Sequence, residues 1–419
     1  MASTTVSEIS RLDLQELETP ALASITDVKF LSSYNWIEAP NATPTIAVPG
    51  SPALWSVPGV SRRLKKDSGL IYIAQNAARH PESPLEPLFR ALYITHPSFD
   101  IRSTDVVTDR NNIRKLLSFI DPSSNRSGLE AFTMNIEITK NTAIFCRDEA
   151  KTMEYIGPQE FRGFGHEFEK AYTIAQINGS TGHHRIISYC FSDLNFIVRH
   201  ETDGYVDTDT RTSSSKAKNH TQDDLSSMLE ALSLSPASNH PGITPSGSKL
   251  IIKEEGQVVP LESTLEIKTR VLHKSLEIQE VAPQLWVSQT PKLVRAYHQN
   301  GTFQTPVVED VVAVIKSWEE RKQNDLRKLA ALIRKIINLV KECGGNAVLK
   351  YNVEGDKLVV CKVERKEMLP KDLYSKWDDG HNLEAETDTQ NDGIQGPKIA
   401  QTSRESMSAV SEIRKQSRP

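Results

Sequence analysis

The chain has 419 residues, of which 38% are hydrophobic and 25% are charged. This length and composition indicate a globular protein with one large or two medium domains and a core of ordinary size. The net charge of −4 excludes binding to a polyanion through bulk electrostatics, so a nucleic-acid site would require a local basic patch.

Changes in polarity along the chain predict its organisation. Residues 1–25 are polar and predict a disordered N-terminus, and residues 381–419 predict a disordered tail. Residues 26–380 predict a single folded domain. Residues 207–248 interrupt it with a run rich in Ser, Thr, Asn, Asp, Pro and Gly. Such a run cannot bury enough apolar surface to offset its ordering entropy, so it predicts a disordered insertion.

The folded part mixes helical and strand patterns in chain order. "SPLEPLFRALYITHP" predicts a short helix, and residues 110–120 an amphipathic one. "EAFTMNIEITKNTAIFCRDE" predicts two strands, "GHEFEKAYTIAQ" a helix, and "LNFIV" a further strand. "KLIIKEE" and "LESTLEIKTRVLH" follow as strands, and residues 306–343 predict a long helical region with a joint near Asn324. "NAVLKYNVEGDKLVVCKVE" predicts a hairpin, which completes a mixed α/β domain.

The predicted insertion contains a single apolar stripe. Its members are Leu225, Met228, Leu229 and Leu232. A helix that docks a partner and a transient helix without a partner both account for this spacing, so the two interpretations stay open.

The cysteines and the apolar runs bear on where the protein resides. Cys146, Cys190, Cys343 and Cys361 are scattered, with no Cys-x-x-Cys pair, which is typical of free thiols in a reducing compartment. The start, "MASTTVSEISRLDLQELETP", lacks the apolar segment of a secretion signal. No apolar run approaches the roughly 20 residues of a membrane span. We therefore expect a soluble nuclear or cytoplasmic protein without membrane contact.

Two predicted strands carry charged pairs at alternate positions. Glu201 and Asp203 follow "LNFIV", and Glu266 and Lys268 lie within "LEIKTRV". Side chains i and i+2 of a strand share a face, and like charges at the margin of a core are costly without compensation. Mg²⁺ and Mn²⁺ prefer oxygen ligands and lie between carboxylates and phosphates. The pairs therefore predict a divalent-metal site.

The alternative interpretation is that these pairs are exposed charges at strand ends with no ligand. The E-x-K spacing is common, and it recurs at Glu149/Lys151, Glu320/Lys322 and Glu364/Lys366. The two selected pairs differ from these because they directly follow, or lie within, apolar strands.

Four motifs follow one another along the chain. Arg110 precedes a helix in "TDRNNIRKLL", "GHEFE" gives Gly-x-x-Phe-Glu with Glu169 as its acid, and E-x-D and E-x-K-Thr come next. In this order they resemble the decapping exoribonucleases of the DXO type, which belong to the PD-(D/E)XK nuclease superfamily. The match spans roughly residues 100–295.

The resemblance implies a single domain with a central mixed β-sheet flanked by helices. It also implies two Mg²⁺ or Mn²⁺ ions, attack on RNA 5′ ends, and a 5′–3′ exoribonuclease as a partner. Carried over by position, the metal ligands are Glu169, Glu201, Asp203 and Glu266. The catalytic residues are then Glu201, Asp203, Glu266 and Lys268, and Lys268 is the catalytic lysine. Arg110 contacts substrate phosphate, and Gln289 in "LWVSQTP" is similar to a glutamine near the substrate, although its motif is one residue longer.

The chain also departs from the family pattern. The N-terminal signature of the family is hard to find in residues 25–100, and the predicted insertion separates E-x-D from E-x-K. Two alternatives stay open: a non-catalytic scaffold that binds RNA ends, and a DNA-acting nuclease of the same superfamily. Lys268 argues against the scaffold because pure binding does not need it. The identity of the 5′ end that is attacked stays open.

A basic stretch lies outside these motifs. "SRRLKK", residues 61–66, is a candidate RNA contact. A nuclear localisation signal and a plain solvated surface are equally good interpretations of it.

Overall fold

A computed structural model describes residues 3–60, 63–122, 128–207 and 242–378. The strands are β1 (Ser3–Ser10), β2 (Ile25–Ile37), β3 (Thr45–Pro49), β4 (Leu54–Trp55), β5 (Gly69–Tyr72), β6 (Val106–Asp109), β7 (Phe132–Thr139), β8 (Thr142–Asp148), β9 (Met153–Ile156), β10 (Thr173–Ile174), β11 (Ser180–Phe191), β12 (Leu194–Glu201), β13 (Gly204–Tyr205), β14 (Ile251–Glu255), β15 (Thr264–Val271), β16 (Lys292–Gln299), β17 (Thr302–Phe303), β18 (Val308–Asp310), β19 (Asn346–Asn352) and β20 (Lys357–Val363). The helices are α1 (Gln75–Arg79), α2 (Glu86–Thr95), α3 (Arg110–Ile120), α4 (Gly165–Tyr172), α5 (Ile278–Ser288), α6 (Val312–Arg321), α7 (Gln323–Glu342) and α8 (Lys371–Tyr374).

Eleven strands form a large mixed sheet in the order β1-β20-β19-β7-β8-β6-β12-β11-β2-β3-β14. Within it, β12 runs parallel to β6, with Arg199 opposite Asp109. Parallel neighbours end at the same edge of a sheet. The residue after β6, Arg110, is therefore brought beside Glu201 at the end of β12.

Helices cover both faces of this sheet. One core packs α3, α5, α6 and α7 against the sheet, and it includes Leu116, Trp286 and Leu329. A second core on the other face packs α2 and the C-terminal segment through Phe89 and Trp377. The apolar stripes of the helices therefore account for the layered, mixed α/β arrangement that the motifs predicted.

A smaller sheet continues directly from the large one. Its order is β10-β4-β13-β15-β16-β17, with β18 paired to β16. Phe168 of α4 packs on it with Leu265 and Phe303. The chain passes from β12 in the large sheet to β13 in the small one through residues 202–203. E-x-D therefore lies where the chain crosses between the two sheets.

The prediction of disorder for residues 1–25 is wrong in the described part. β1 pairs antiparallel with β20 at the edge of the large sheet, and Ile9 and Leu14 are buried. An edge strand offers unpaired backbone groups to any segment that can pair with it. Backbone pairing therefore orders a mostly polar segment, and composition does not reveal this.

The limits of the predicted insertion and helical region also change. Residues 242–248 belong to the fold, since Ile243 bridges Ile252, whereas residues 208–241, with the apolar stripe, lie outside the described residues. The long helical region begins later than predicted, because residues 308–310 form β18, and its joint lies at Lys322.

The compact unit ends at Asp378, and the predicted tail lies outside the described residues. Within the described ranges, no helix is long and apolar enough to cross a membrane.

Candidate active site between the two sheets

A cavity of about 810 Å³ opens where the two sheets meet. It collects residues that are far apart in the sequence but adjacent at the sheet edges. The motif residues that line it are Arg110, Glu169, Glu201, Asp203, Glu266 and Lys268. Six of the seven site residues predicted from the sequence therefore line one cavity.

The E-x-D residues are held by the crossing between the sheets. Glu201 ends β12 opposite His184 of β11 and is open to the cavity. Asp203 lies beyond the strand, and its Oδ2 accepts a hydrogen bond of 2.7 Å from the backbone amide of Ile267 in β15. The two carboxylates therefore reach the same cavity because one closes a strand and the other bridges to the neighbouring sheet.

Glu266 is the most enclosed of the carboxylates. Its side chain is 2% exposed and accepts hydrogen bonds from Lys268 Nζ at 2.5 Å and Arg110 at 3.0 Å. Gln284 of α5 donates a third, very short hydrogen bond to the same carboxylate. Burial alone would raise the pKa of Glu266, but Lys268 and Arg110 outweigh it and lower the pKa to about 2. Glu266 is therefore ionised throughout the physiological range.

The fourth carboxylate comes from α4. Glu169 lies one turn into this helix, whose start is fixed by Asp67: the carboxylate of Asp67 accepts a 2.9 Å hydrogen bond from the amide of Glu167. An oxygen acceptor at this position satisfies one of the free amides of the first turn. Residue 67 therefore helps to set the position of Glu169 at the cavity wall.

Three of the carboxylates have raised pKa values. Burial raises the pKa of Asp203 to about 8, with the charge of Glu266 adding to the shift. Burial and the charges of Asp203 and Glu201 raise the pKa of Glu169 well above its usual value. Burial also raises the pKa of Glu201, although Arg110 opposes the shift. Burial is the largest cause in all three cases, so it is costly for these carboxylates to be ionised together.

These residues fit a divalent cation in the chemistry of their donor atoms. Carboxylate oxygens are the preferred ligands of Mg²⁺ and Mn²⁺, and a bound cation would favour the ionised form of these carboxylates, which burial disfavours. Among the described residues, however, no three His, Cys, Asp or Glu side chains converge as a ready-made metal-binding group. Glu266 points to Lys268, Arg110 and Gln284 instead. Metal binding would therefore require Glu266 to exchange some of these contacts.

A group of arginines faces the carboxylates. Arg110 and Arg114 lie one turn apart on α3, and Arg147 comes from the end of β8. Burial lowers the pKa of Arg114 to about 10, and the neighbouring charge of Arg110 contributes. Arg147 is paired with Glu149 at 2.6 Å. Neither Arg114 nor Arg147 was predicted from the sequence, although the i, i+4 spacing from Arg110 places Arg114 on the same helix face.

The structure does not bring Gln289 to the cavity. Gln289 ends α5 in a left-handed conformation with a φ of 52°, and its side chain donates to the carbonyl of Trp286. Gln284, one turn and a half earlier on the same helix, lines the cavity in its place. The Trp-x-x-Gln spacing drew attention to Gln289, whereas only the helix orientation reveals Gln284.

One protein-family model matches most of the length of the chain. A family model described as "Domain of unknown function (DUF8563)" matches residues 5–377. The chain belongs to the DUF8563 family. A comparison with curated proteins finds no significant sequence match to this DUF8563 member.

Solved structures of Rai1 share the fold of this DUF8563 protein. The crystal structure of S. pombe Rai1 has a TM-score of 0.51 at 13% identity, covering 85% of this chain and 99% of that one. Scheffersomyces stipitis Rai1 with (3′-NADP)⁺ and calcium has a TM-score of 0.52 at 12% identity, covering 86% and 97%. Candida albicans Rai1 with pU5-Mn²⁺ has a TM-score of 0.51 at 10% identity, covering 90% and 99%. The predicted resemblance is thus confirmed in the fold.

Proposed function

We propose that this DUF8563 protein is a divalent-metal-dependent hydrolase that acts on the 5′ end of RNA. The reaction is cleavage of a phosphodiester or pyrophosphate bond, as in decapping or 5′-end quality control, and 5′–3′ exonuclease activity is included in the proposal. The cofactor is Mg²⁺ or Mn²⁺, bound as two ions. A 5′–3′ exoribonuclease is the proposed partner, by resemblance alone.

One observation carries this proposal. Four carboxylates, one lysine and one arginine, supplied by four motifs in the predicted order, line a single cavity in a chain with the Rai1 fold. Relatives of that fold were crystallised with manganese and pU5 RNA, or with calcium and a nucleotide. Those ligands match the chemistry of the cavity, which combines oxygen donors for a cation with arginines for phosphate.

Each residue has a separate task in the proposal. Glu169, Glu201, Asp203 and Glu266 hold the divalent ions, which when bound supply Lewis-acid stabilisation of charge on a phosphate. Lys268 donates to Glu266 and orients its carboxylate. The lysine is also placed to offset charge that builds up on the reacting phosphate. Arg110 offers a planar guanidinium to a substrate phosphate.

A binding-only function is the second candidate, and one observation favours it. Glu266 is already hydrogen-bonded to Lys268, Arg110 and Gln284, so this carboxylate has partners without a metal ion. A scaffold that binds RNA ends would need only the arginines and the cavity walls. A DNA-acting nuclease remains an outcome of the test, because the distinction depends on contacts to the 2′-hydroxyl.

The experiment is a product assay with purified protein and either Mn²⁺ or Mg²⁺. Its substrates are RNAs with monophosphate, triphosphate, unmethylated-cap, methylated-cap and NAD-capped 5′ ends, together with matched single-stranded DNA. The control is the double variant Glu266→Ala/Lys268→Ala, checked for folding by circular dichroism. Metal-dependent release of a 5′ product by the wild-type protein alone supports the proposal, and the preferred end identifies the substrate.

Two results would contradict the proposal. Tight RNA binding without any product, under conditions in which metal binds, would favour the scaffold. Cleavage of DNA but not RNA would favour a DNA-acting nuclease. Equal product from the wild-type protein and the double variant would point to a contaminating nuclease.

A further inference from the structure

A second groove lies next to the cavity and carries a net positive charge. Its cationic lining residues are Arg63, Lys65 and Lys66, and its volume is about 380 Å³. The acidic lining residues are Glu160 and Asp67, and Asp67 is buried with its carboxylate engaged at the start of α4. We call this surface the basic groove.

The basic groove adjoins the candidate active site. Ser68 lines both the groove and the cavity. The residues that follow it form β5, which lines the cavity from residue 70 onward. Because an extended chain advances about 3.3 Å per residue, Lys65 is at most about 10 Å along the chain from Ser68. A strand of nucleic acid with its end in the cavity therefore has only a short distance to cover to reach the lysines of the groove.

The rim of the groove exposes aromatic rings. Phe161 is 59% exposed, and the Nζ of Lys66 lies 5.3 Å from the centre of its ring. Phe161 is held against the buried Phe164, with ring centroids 5.6 Å apart. On the adjacent two-stranded sheet, Tyr155 is 70% exposed and faces Leu70 across the pair. Exposed rings beside lysines form the combination that stacks bases while binding the phosphates between them.

The main chain is anchored at residues 64 and 67, on either side of Lys65 and Lys66. The amide of Leu64 donates to the carbonyl of Gly301 at 2.9 Å, and the amide of Asp67 donates to the carbonyl of Gly163 at 3.0 Å. These two hydrogen bonds hold the backbone of Lys65 and Lys66 in place, so the two lysines are presented at constant positions along the groove.

We propose that the basic groove binds the single-stranded body of the RNA whose 5′ end occupies the cavity. Lys65 and Lys66 contact successive phosphates, and Phe161 provides a stacking surface for a base. This inference rests on the proposed function for the direction of the strand. The groove residues themselves lie outside the carboxylate site.

The test compares binding of a long and a short RNA under metal-free conditions, in which no substrate is consumed. The probes are a fluorescent 5′-monophosphate RNA of about 20 nucleotides and the corresponding dinucleotide, measured by anisotropy over a series of salt concentrations. The variants are Lys65→Ala/Lys66→Ala and Phe161→Ala. The matched control is Lys350→Ala/Lys362→Ala, which removes the same charge from exposed positions on β19 and β20.

We expect the double lysine variant to bind the long RNA about tenfold more weakly and the dinucleotide unchanged. The slope of log affinity against log salt should fall by roughly 0.7 for each phosphate that the variant no longer neutralises. Phe161→Ala should weaken binding of the long RNA about tenfold or more while leaving the salt slope unchanged. The control should match the wild-type protein.

The inference would be overturned if the groove variants bound the long RNA as tightly as the control and the wild-type protein do. An equal loss of affinity for the long RNA and the dinucleotide would overturn it too, since the effect would then lie in the cavity. Failure of the proposed function looks different. In that case the wild-type protein releases no product from any RNA, while the long RNA still binds through Lys65, Lys66 and Phe161.

Discussion

At the scale of single residues, Glu266 controls the balance of charge in the cavity. It is the carboxylate with the most partners, and its pKa is lowered by Lys268 and Arg110 against the effect of burial. Asp203, Glu169 and Glu201 face it with raised pKa values. Burial, to which the charge of Glu266 adds, makes these neighbours costly to ionise, and a divalent cation would offset that cost.

The first residue-scale prediction concerns Lys268. Replacing it with alanine removes the cation closest to Glu266 and the reacting phosphate, so turnover should fall by about 10²- to 10⁴-fold. The measurement is single-turnover product release on the preferred RNA. Lys170→Ala is the matched control, because Lys170 lines the same cavity but is 70% exposed and pairs with Glu167. Similar losses in both variants would contradict a special role for Lys268.

The second residue-scale prediction concerns pH. The folded-state pKa of Asp203 is about 8 against an ordinary value of 3.8, so the folded protein retains a proton that the unfolded chain has released. The stability of the metal-free protein should therefore fall as pH rises toward 8. Urea titrations at several pH values measure this trend. Asp203→Asn keeps an oxygen for the amide of Ile267 and should make the trend shallower, whereas an unchanged trend would contradict the assignment.

Among single residues, the motifs predicted which side chains come together better than they predicted the partners of those side chains. Glu169, Glu201, Asp203, Glu266, Lys268 and Arg110 were selected by motif, and all line one cavity. Gln284, Arg114 and Arg147 were missed because their roles depend on which way α5, α3 and β8 face. Gln289 was selected by its spacing from a tryptophan, yet it ends α5 away from the cavity.

At the scale of elements, α4 depends on a residue distant in sequence. Asp67 supplies the acceptor for the amide of Glu167, and the helix it caps carries Glu169. We predict that Asp67→Ala lowers the free energy of unfolding by about 1 kcal/mol and weakens metal binding through Glu169. Asp67→Asn, which retains an oxygen acceptor, should recover most of both. Thermal denaturation and metal titration check this, and a loss of stability with normal metal binding would contradict the link to Glu169.

The N-terminal strand β1 gives a second element-scale prediction. Ile9 is fully buried while Val6 is 40% exposed on the same strand. Ile9→Ala should therefore lower the free energy of unfolding by about 2–5 kcal/mol, whereas Val6→Ala should change it by less than about 0.5 kcal/mol. Denaturant unfolding measures both variants. Two neutral variants would restore the prediction of a disordered N-terminus.

Sequence patterns located most elements but not all of their partners. The helix at 110–120 and the "LNFIV" and "LEIKT" strands carry clear apolar periodicity, and each forms as predicted. β1 was missed because its order comes from pairing with β20, which is more than 340 residues away along the chain. The start of the long helical region was misplaced because residues 308–310 pair with β16. Long-range backbone pairing is the information that local patterns lack.

At the scale of the whole molecule, the site is a product of how the two sheets join. Strand β12 of the large sheet ends at Glu201, and the crossing between the sheets supplies Asp203. Strand β15 of the small sheet supplies Glu266 and Lys268. Neither sheet alone contains the complete set. The same junction places the basic groove beside the cavity, so one arrangement accounts for both the proposed chemistry and the proposed path of the RNA.

Calorimetric titration with Mn²⁺ near pH 8 measures whether the carboxylates at this junction bind divalent metal. We expect the wild-type protein to bind Mn²⁺ with release of protons, because the raised pKa values must fall when metal binds. Asp203→Asn should bind at least about tenfold more weakly, and Glu254→Gln, which removes an exposed carboxylate elsewhere, should bind normally. Absence of Mn²⁺ binding by the folded wild-type protein, or equal binding by Asp203→Asn, would contradict the account.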